Sequence, residues 1–117
     1  MKEKIYLSVA KDYSKTPGTR YIKEGKFSGE DFLEKLLYPK MKEAIDQDKI
    51  LVVNLDGTAG YATSFLDESF GGLIYRKGMD YHEVISHLEI EAEEFRRYKE
   101  NVYKYLEEAK EIRRATN

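Results

Sequence analysis

At 117 residues the chain has the length of one domain, and its 41% content of hydrophobic residues supports an apolar core. Its charged residues nearly cancel to a net −2, which argues against the basic stripe of a nucleic-acid binder. Cysteine is absent, which excludes disulfides and thiolate zinc sites, and no apolar run approaches the roughly 20 residues of a membrane span. We therefore expect a single cytoplasmic domain over residues 1–117, with neither nucleic acid nor membrane as a partner.

The first elements along the chain are predicted to be two strands. Ile5, Leu7 and Val9 alternate with other residues at the period of a strand. Residues 11–18 contain Asp, Ser, Pro and Gly and predict a turn. Residues 20–23 then predict a second short strand, which would pair with the first as a hairpin.

A helix is predicted next. Ser28 and Asp31 form the pattern of a capping box, which has a hydroxyl at the cap and a carboxylate three positions later. Apolar residues follow at helical spacing until Pro39. Because proline lacks the N–H group that a helix needs, we expect a break or kink near Tyr38, or the start of a second helical piece.

The middle of the chain predicts a buried strand followed by a helix. Residues 50–55 form a continuous apolar run of strand length, typical of a central strand covered on both faces. The helix after it carries apolar residues at a regular spacing: Leu66, Phe70, Leu73 and Ile74. Gly71 and Gly72 lie inside this pattern, and we expect them to allow a close approach to the sheet or to a partner.

The remaining residues predict a helical turn, an edge strand and a long helix. These are expected over residues 80–86, 88–90 and 93–114. A heptad-like apolar stripe on the long helix favours packing against the sheet, with a seam for a partner or a second copy of the chain as the alternative. The order of elements predicts an α/β fold, with a small mixed β-sheet of about four strands and helices packed on one face.

The junction between the apolar strand and the following helix holds the candidate site. Gly57 and Gly60 predict a turn, and Thr58, Thr63 and Ser64 place hydroxyl groups where the N–H groups of a helix start favour negative charge. We expect Ser64 to cap the helix in a capping box with Asp67, which lies three residues later.

Enzyme chemistry finds little support in this sequence. His82 and His87 lie five residues apart rather than four, so a helix would not place them on one face for a metal. The glycine turn lacks the Lys-Ser/Thr ending of a Walker loop and the ordered glycines of a dinucleotide fingerprint. Ser64 has no Gly-x-Ser-x-Gly elbow. We therefore predict a protein that is not an enzyme and has no metal or cofactor.

Three segments combine glycines, aromatic residues and hydroxyls at specific spacings: Ser28-Gly29-Glu30-x-Phe32 with Leu36-Leu37-x-Pro39, Asn54-Leu55-Asp56-Gly57-Thr58-x-Gly60-Tyr61, and Ser64-Phe65-Leu66-x-Glu68-x-Phe70-Gly71-Gly72-Leu73. Together they resemble the family of STAS-like domains of unknown function, over about residues 20–78. The resemblance implies the fold of bacterial anti-sigma factor antagonists. In those proteins a Ser or Thr at the start of the helix after the central strand is phosphorylated by a kinase-like partner.

The resemblance also implies a regulatory function. It places the phosphoacceptor at Ser64 or Thr63, and it makes a histidine-kinase-like ATPase the expected partner. The surface predicted to bind this partner lies within residues 56–72 and consists of Asp56, Thr58, Tyr61, Phe65, Asp67 and Glu68.

Two other hypotheses stay open at this point. One is a stand-alone interaction or inhibitor protein, encoded by a mobile element, that uses the same fold without a switch. The other is a nucleotide- or anion-binding module built on the loop that contains Gly57 and Gly60.

Overall fold

The sheet contains three strands, and all of them run parallel. The structure is a computed structural model that describes residues 1–116, with side chains described for residues 1–113. The strands are β1 (Lys4–Ser8), β2 (Ile50–Asn54) and β3 (Leu88–Glu91), in the spatial order β1-β2-β3. Both pairs are parallel, so β2 is central, as its apolar run predicts.

The predictions of a mixed sheet, of about four strands and of a hairpin were wrong. Residues 20–23 do not form a strand, because their backbone groups bond elsewhere. The carbonyls of Thr19 and Arg20 accept hydrogen bonds from the N–H groups of Gly29 and Glu30, at 2.8 and 2.9 Å. A short 3₁₀ turn at Ile22–Glu24 follows. The segment is thus joined to the start of the first helix rather than to β1.

The first helix, α1, runs without a break over residues 29–46. It consists of an α-helical turn, a wider π-helical turn and a longer α-helix: Gly29–Phe32, Leu33–Leu37 and Tyr38–Asp46. Ser28 caps it by accepting a hydrogen bond from the Asp31 N–H at 3.0 Å, as predicted. The chain stays helical through Tyr38, so the expected break is absent. The predicted alternative is confirmed, because an α-helical piece begins at Tyr38 after the wider turn, with Pro39 in its first turn.

Three further helices complete the fold. Helix α2 covers residues 63–75, again with a π-helical turn in the middle: Thr63–Leu66, Asp67–Gly71 and Gly72–Tyr75. Helix α3 is Tyr81–Ser86, and helix α4 is Arg96–Thr116. A third wide turn, at Val9–Tyr13, ends β1 at Ser8, earlier than the predicted alternation suggests.

The helices pack on one face of the sheet, as predicted. Leu7, Val53 and Ile90 pair in register, point to this face and are at most 2% exposed. On the opposite face Tyr6 is 67% exposed, and Val52 beside it is buried but lies outside the main core cluster. The sheet therefore has one face within the core and one face without a helical layer.

The glycines of α2 allow close contact with helices rather than with the sheet. A β-carbon on Gly72 would lie 2.7 Å from Leu33 Cδ2 of α1. One on Gly71 would lie 2.9 Å from both Asp67 Oδ1 and Tyr75 Cε2 of α2 itself, and at an ordinary contact distance of 3.6 Å from the Tyr105 carbonyl of α4. The long helix α4 packs mainly on α2 and not on the sheet that was predicted as its neighbour. This layering places the start of α2 beside both α1 and α4.

Candidate functional site

The loop between β2 and α2 is held by Asp56. The Asp56 N–H donates to Asn54 Oδ1 at 2.8 Å. The two carboxylate oxygens of Asp56 accept hydrogen bonds from the backbone N–H groups of Glu93 and Glu94, each at 3.0 Å. Asp56 therefore joins this loop to the segment that leads into α4, and its carboxylate is already occupied by protein donors.

Gly57 and Gly60 form a closed turn. Both have positive φ angles, +88° and +128°, which favour glycine. The Gly57 N–H donates to the Glu94 carboxylate, and the Gly60 N–H donates to Thr58 Oγ1 at 3.2 Å. Because internal acceptors already use both N–H groups, an anion at this loop would have to displace them. Anion binding by this loop stays a prediction, and neither glycine offers a free N–H group for it.

Tyr61 anchors the loop in the core. Its hydroxyl donates to the Leu55 carbonyl at 2.7 Å, and its ring contacts the Tyr98 ring edge-on at 5.1 Å between centroids. Burial raises the pKa of the Tyr61 hydroxyl above its ordinary value. The side chain is only 8% exposed, so it reaches a partner only if the loop opens.

The two predicted phosphoacceptors lie at the first turn of α2. Ala62, rather than Ser64, is the N-cap, and no side chain caps the helix there. The predicted capping box between Ser64 and Asp67 is therefore absent, because the helix begins at Thr63. Thr63 is exposed and Ser64 is half-buried, so both hydroxyls lie at the surface of an uncapped helix start.

Phe65 and Glu68 point inward from the same turn. Phe65 is fully buried and stacks on Phe32 of α1, with 5.7 Å between the ring centroids. Glu68 is 1% exposed. Together with Tyr61, these two predicted partner-binding side chains belong to the interior in this conformation. Asp67 and Thr58 remain half-buried at the surface.

Two arginines neutralise the carboxylates of α2. Arg20 Nη1 lies 2.9 Å from Asp67 Oδ2 and 3.4 Å from Glu68 Oε1. Arg76 Nε lies 2.7 Å from Glu68 Oε2. Tyr75 completes the group by donating its hydroxyl to Glu68 Oε1 at 3.3 Å. We call Arg20, Asp67, Glu68, Tyr75 and Arg76 the arginine–carboxylate cluster.

The pKa values of the cluster follow from this geometry. Its hydrogen bond to Glu68 raises the pKa of Arg76. Burial lowers the pKa of Arg20, but the hydrogen bond and the charge of Asp67, together with Tyr75 and Glu68, outweigh burial and raise the net pKa. Burial, together with the nearby carboxylates, raises the pKa of Tyr75. All three side chains therefore keep their protons at neutral pH and can act as donors to the carboxylates.

Sequence reasoning missed this cluster. Arg76 follows Glu68 by two helical turns, which is a weak signal for an ion pair. Arg20 lies in a loop far away along the chain, and no local pattern links it to Asp67. Only the packing of residues 19–30 against α2 brings the two together.

The two histidines lie in different environments. His82 is exposed, whereas His87 is buried and its ring nitrogens lie 2.9 Å from Asp48 Oδ1 and 2.7 Å from the Glu83 carbonyl. Over the described part of the chain, no group of three or more His, Cys, Asp or Glu side chains is placed to hold a metal ion. In the same residues, no helix is both long and apolar enough to cross a membrane.

Comparison with known proteins identifies the family. A family model described as a STAS-like domain of unknown function matches residues 28–94, which is more than half of the chain. The chain belongs to this family. No curated protein and no solved structure gives a significant match to the chain.

The residues matched by the family model can be located on the fold. It begins at the cap of α1, includes β2, the loop, α2, α3 and β3, and ends at the connection to α4. The candidate site at the start of α2 lies entirely within the matched residues. β1 and α4 lie outside them, although both contribute buried residues to the core of this STAS-like protein.

Proposed function

We propose that this STAS-like protein is a non-enzymatic regulatory domain that binds a protein partner through the start of α2 and is switched there by phosphorylation. The proposal rests on the exposed hydroxyl of Thr63, with the half-buried Ser64 beside it, at a helix start that no side chain caps. The partner proposed is a histidine-kinase-like ATPase, by analogy with anti-sigma factor antagonists.

The chemistry proposed is transfer of the γ-phosphoryl group of ATP to the Thr63 or Ser64 oxygen. The bond from the γ-phosphorus to the bridging oxygen of ATP breaks, ADP leaves, and the hydroxyl releases its proton. The product carries about −1.5 to −2 charges at neutral pH, which the N–H groups at a helix start tolerate.

The arginine–carboxylate cluster supports a switch at this position. Asp67 lies four residues after Thr63, so the two side chains share one face of the helix. A phosphate on Thr63 would repel Asp67 and compete with it for Arg20, which is 2.9 Å from Asp67 in the unmodified chain. Phosphorylation would thereby also change the ionic contacts of the loop that contains Arg20.

We expect incubation with ATP, Mg²⁺ and the cognate ATPase to add one phosphate to this chain, detected by intact-protein mass spectrometry. Thr63→Ala or Ser64→Ala should remove it. Thr16→Ala is the matched control, because Thr16 is an exposed hydroxyl in another loop. Binding of the partner without any phosphate would disprove the switch but keep the partner-binding function, and the loss of both would disprove the whole proposal.

A second candidate function is partner binding without a switch. Two departures from the antagonist pattern favour it: Ala62 stands where the antagonists have aspartate, and the buried Phe65 stands where they have glycine. On this proposal, Ser64→Asp leaves the affinity for the partner unchanged in calorimetric titration. On the switch proposal, the same variant weakens binding.

A further inference from the structure

β3 lies at an edge of the sheet, so one of its sides has no strand beside it. The His87 carbonyl, directly before β3, accepts a hydrogen bond from the Leu51 N–H of β2 at 2.7 Å. In a parallel strand the N–H and C=O of one residue point to the same side, and the side alternates along the chain. Leu88 and Ile90 therefore direct their backbone groups away from β2, toward the outer side.

A groove of about 830 Å³ follows this outer side of β3. One wall consists of residues 89–93, and the other consists of side chains of α4, among them Arg96, Lys99 and Tyr103. We call this cavity the β3 groove. The helix that forms its second wall packs mainly on α2, and both Arg96 and Lys99 are exposed. The groove therefore gives access to the edge of β3, and an exposed strand edge is a template for pairing with another strand.

One contact from α4 reaches this edge. Burial raises the pKa of the Tyr103 hydroxyl, and a hydrogen bond from the Ile90 N–H opposes this rise. The Tyr103 hydroxyl thus occupies the position at which a carbonyl oxygen of an added strand would accept the same N–H. Since Tyr103 is only half-buried, an added strand could displace its hydroxyl into water.

The two walls of the β3 groove carry opposite charges. Glu91 alternates with the buried Ile90, so it points to the face without helices, where its partner is the neutral Asn54 amide at 3.4 Å. Arg96 and Lys99 belong to the helical layer and flank the edge from the other face. Within residues 1–113, none of Glu91, Arg96 and Lys99 forms an ion pair. A strand added here would have its side chains alternately beside a carboxylate and beside two cations.

Three more carboxylates line the groove. Glu89 points to the face without helices and is partly balanced by Lys4, at 3.4 Å between two exposed side chains. Glu93 adds a negative charge to the same wall. Glu100 lies on α4, where the two cations outweigh it. The wall formed by β3 is therefore negative, and the wall formed by α4 is positive.

We propose that the β3 groove binds an extended segment of a protein partner, which adds a strand to β3 and alternates basic with acidic side chains. The basic side chains lie beside Glu91 on the face without helices, and the acidic ones lie beside Arg96 and Lys99. Main-chain hydrogen bonds to the edge of β3 supply affinity, and the alternating charges select the sequence of the segment. This binding requires no phosphate at Thr63, so it is separate from the switch proposed above.

The first test is a titration of the isotope-labelled chain with a peptide of four Lys-Glu repeats, followed by amide NMR spectra. We expect the largest shift changes within Leu88–Glu91, and slower hydrogen exchange at the Ile90 N–H as it gains a new acceptor. The control peptide has four Lys followed by four Glu. Its composition and net charge are the same, but its charges cannot alternate across the strand, so it should bind about tenfold more weakly.

Charge reversal on α4 tests the positive wall. Lys99→Glu should weaken binding of the alternating peptide about fivefold, because a carboxylate then faces the acidic side chains of the peptide. Lys104→Glu is the matched control: Lys104 is exposed on the same helix but does not line the groove, so the affinity should stay the same. The NMR spectra also show whether both variants fold.

Removal of one hydroxyl provides a test in the opposite direction. Tyr103→Phe keeps the ring but removes the group that competes for the Ile90 N–H. The affinity for the alternating peptide should therefore rise about threefold. A purely structural role of Tyr103 would not raise the affinity.

Four results would overturn the proposal. Absence of shift changes within Leu88–Glu91 would show that the edge accepts no strand of this pattern. Equal binding of the two peptides would reduce the interaction to general charge attraction. Equal losses in Lys99→Glu and Lys104→Glu would place the peptide outside the groove. An unchanged or lower affinity in Tyr103→Phe would show that no added strand bonds to the Ile90 N–H.

Discussion

Glu68 is a buried carboxylate whose charge is balanced by arginines from two distant parts of the chain. It is 1% exposed, and both Arg20 and Arg76 contact it. A buried charge without such partners would be strongly unfavourable, so the arginines are what allow Glu68 to remain inside. The cluster also joins the loop before α1 to the middle and the C-terminal end of α2.

We predict that Glu68→Gln lowers the free energy of unfolding by about 2 kcal/mol, because the amide keeps the shape but loses the negative charge that strengthens the three hydrogen bonds from Arg20 and Arg76. The measurement is chemical denaturation followed by circular dichroism. Asp67→Asn is the matched control: Asp67 contacts the same Arg20 but is 31% exposed, so the loss should be below about 1 kcal/mol. Equal losses in the two variants would contradict the role of burial.

At the scale of elements, one small residue controls how α1 and α2 meet. Gly29 lies in the first turn of α1, directly against the backbone of α2. A β-carbon at this position would lie 2.5 Å from the Phe65 carbonyl oxygen and 3.1 Å from Phe65 Cα. Since Phe65 follows Thr63 and Ser64 in the first turn of α2, this contact positions the candidate phosphoacceptors.

We expect Gly29→Ala to destabilise the protein by about 3 kcal/mol, because a backbone atom must move to admit the methyl group. Gly72→Ala is the control within a helix. Its β-carbon would come closest to a side-chain end, Leu33 Cδ2 at 2.7 Å, and not to backbone. Alanine also gains helix propensity of about 1 kcal/mol, so the net change in stability should be small. Thermal denaturation compares the two, and a larger loss in Gly72→Ala would contradict this account.

At the scale of the whole molecule, α4 completes a core that the matched STAS-like residues do not close by themselves. Val102, Leu106 and Ala109 are fully buried, and α4 packs along α2. Tyr98 of the same helix accepts the Tyr61 N–H at 3.3 Å and so supports the loop of the candidate site. The helix therefore stabilises both the core and the loop.

Truncation of a buried side chain of α4 should destabilise the entire domain. We predict that Leu106→Ala lowers the unfolding free energy by about 3 kcal/mol through lost burial and the remaining cavity. Ile112→Ala, on the same helix but with a side chain 54% exposed, should change it by less than about 1 kcal/mol. Denaturant titration measures both. Similar losses of unfolding free energy in the two variants would show that α4 is not part of the cooperative core.

Much of the element pattern could be predicted because it depends on local signals. The helix cap at Ser28, the apolar run of β2 and the period of α2 each lie within a few residues, and the structure has all three, although the Asp31 carboxylate accepts from Tyr13 rather than completing a capping box. The strand at residues 20–23 was wrong because strand formation needs a partner. The carbonyls of this segment bond to the start of α1 instead, which a short sequence pattern does not reveal.

The candidate site was predicted in part. The glycine turn and the hydroxyls of Thr63 and Ser64 were placed correctly at the strand-to-helix junction. Three of the predicted partner-binding side chains, Tyr61, Phe65 and Glu68, lie inside in this conformation, because residues 19–30 and α4 cover the two sides of α2. Their role in partner binding stays a prediction. Accessibility depends on these distant segments, so the local spacing could not predict it.

The sequence by itself determined the family, the α/β class and the position of the hydroxyls, since glycine turns, caps and apolar periodicity act over neighbouring residues. Only the tertiary structure decided the parallel order of the strands, the place of β3 at an edge of the sheet and the pairing of Arg20 with Asp67. Each of these joins segments far apart in the chain, and its free energy exists only once those segments are packed together.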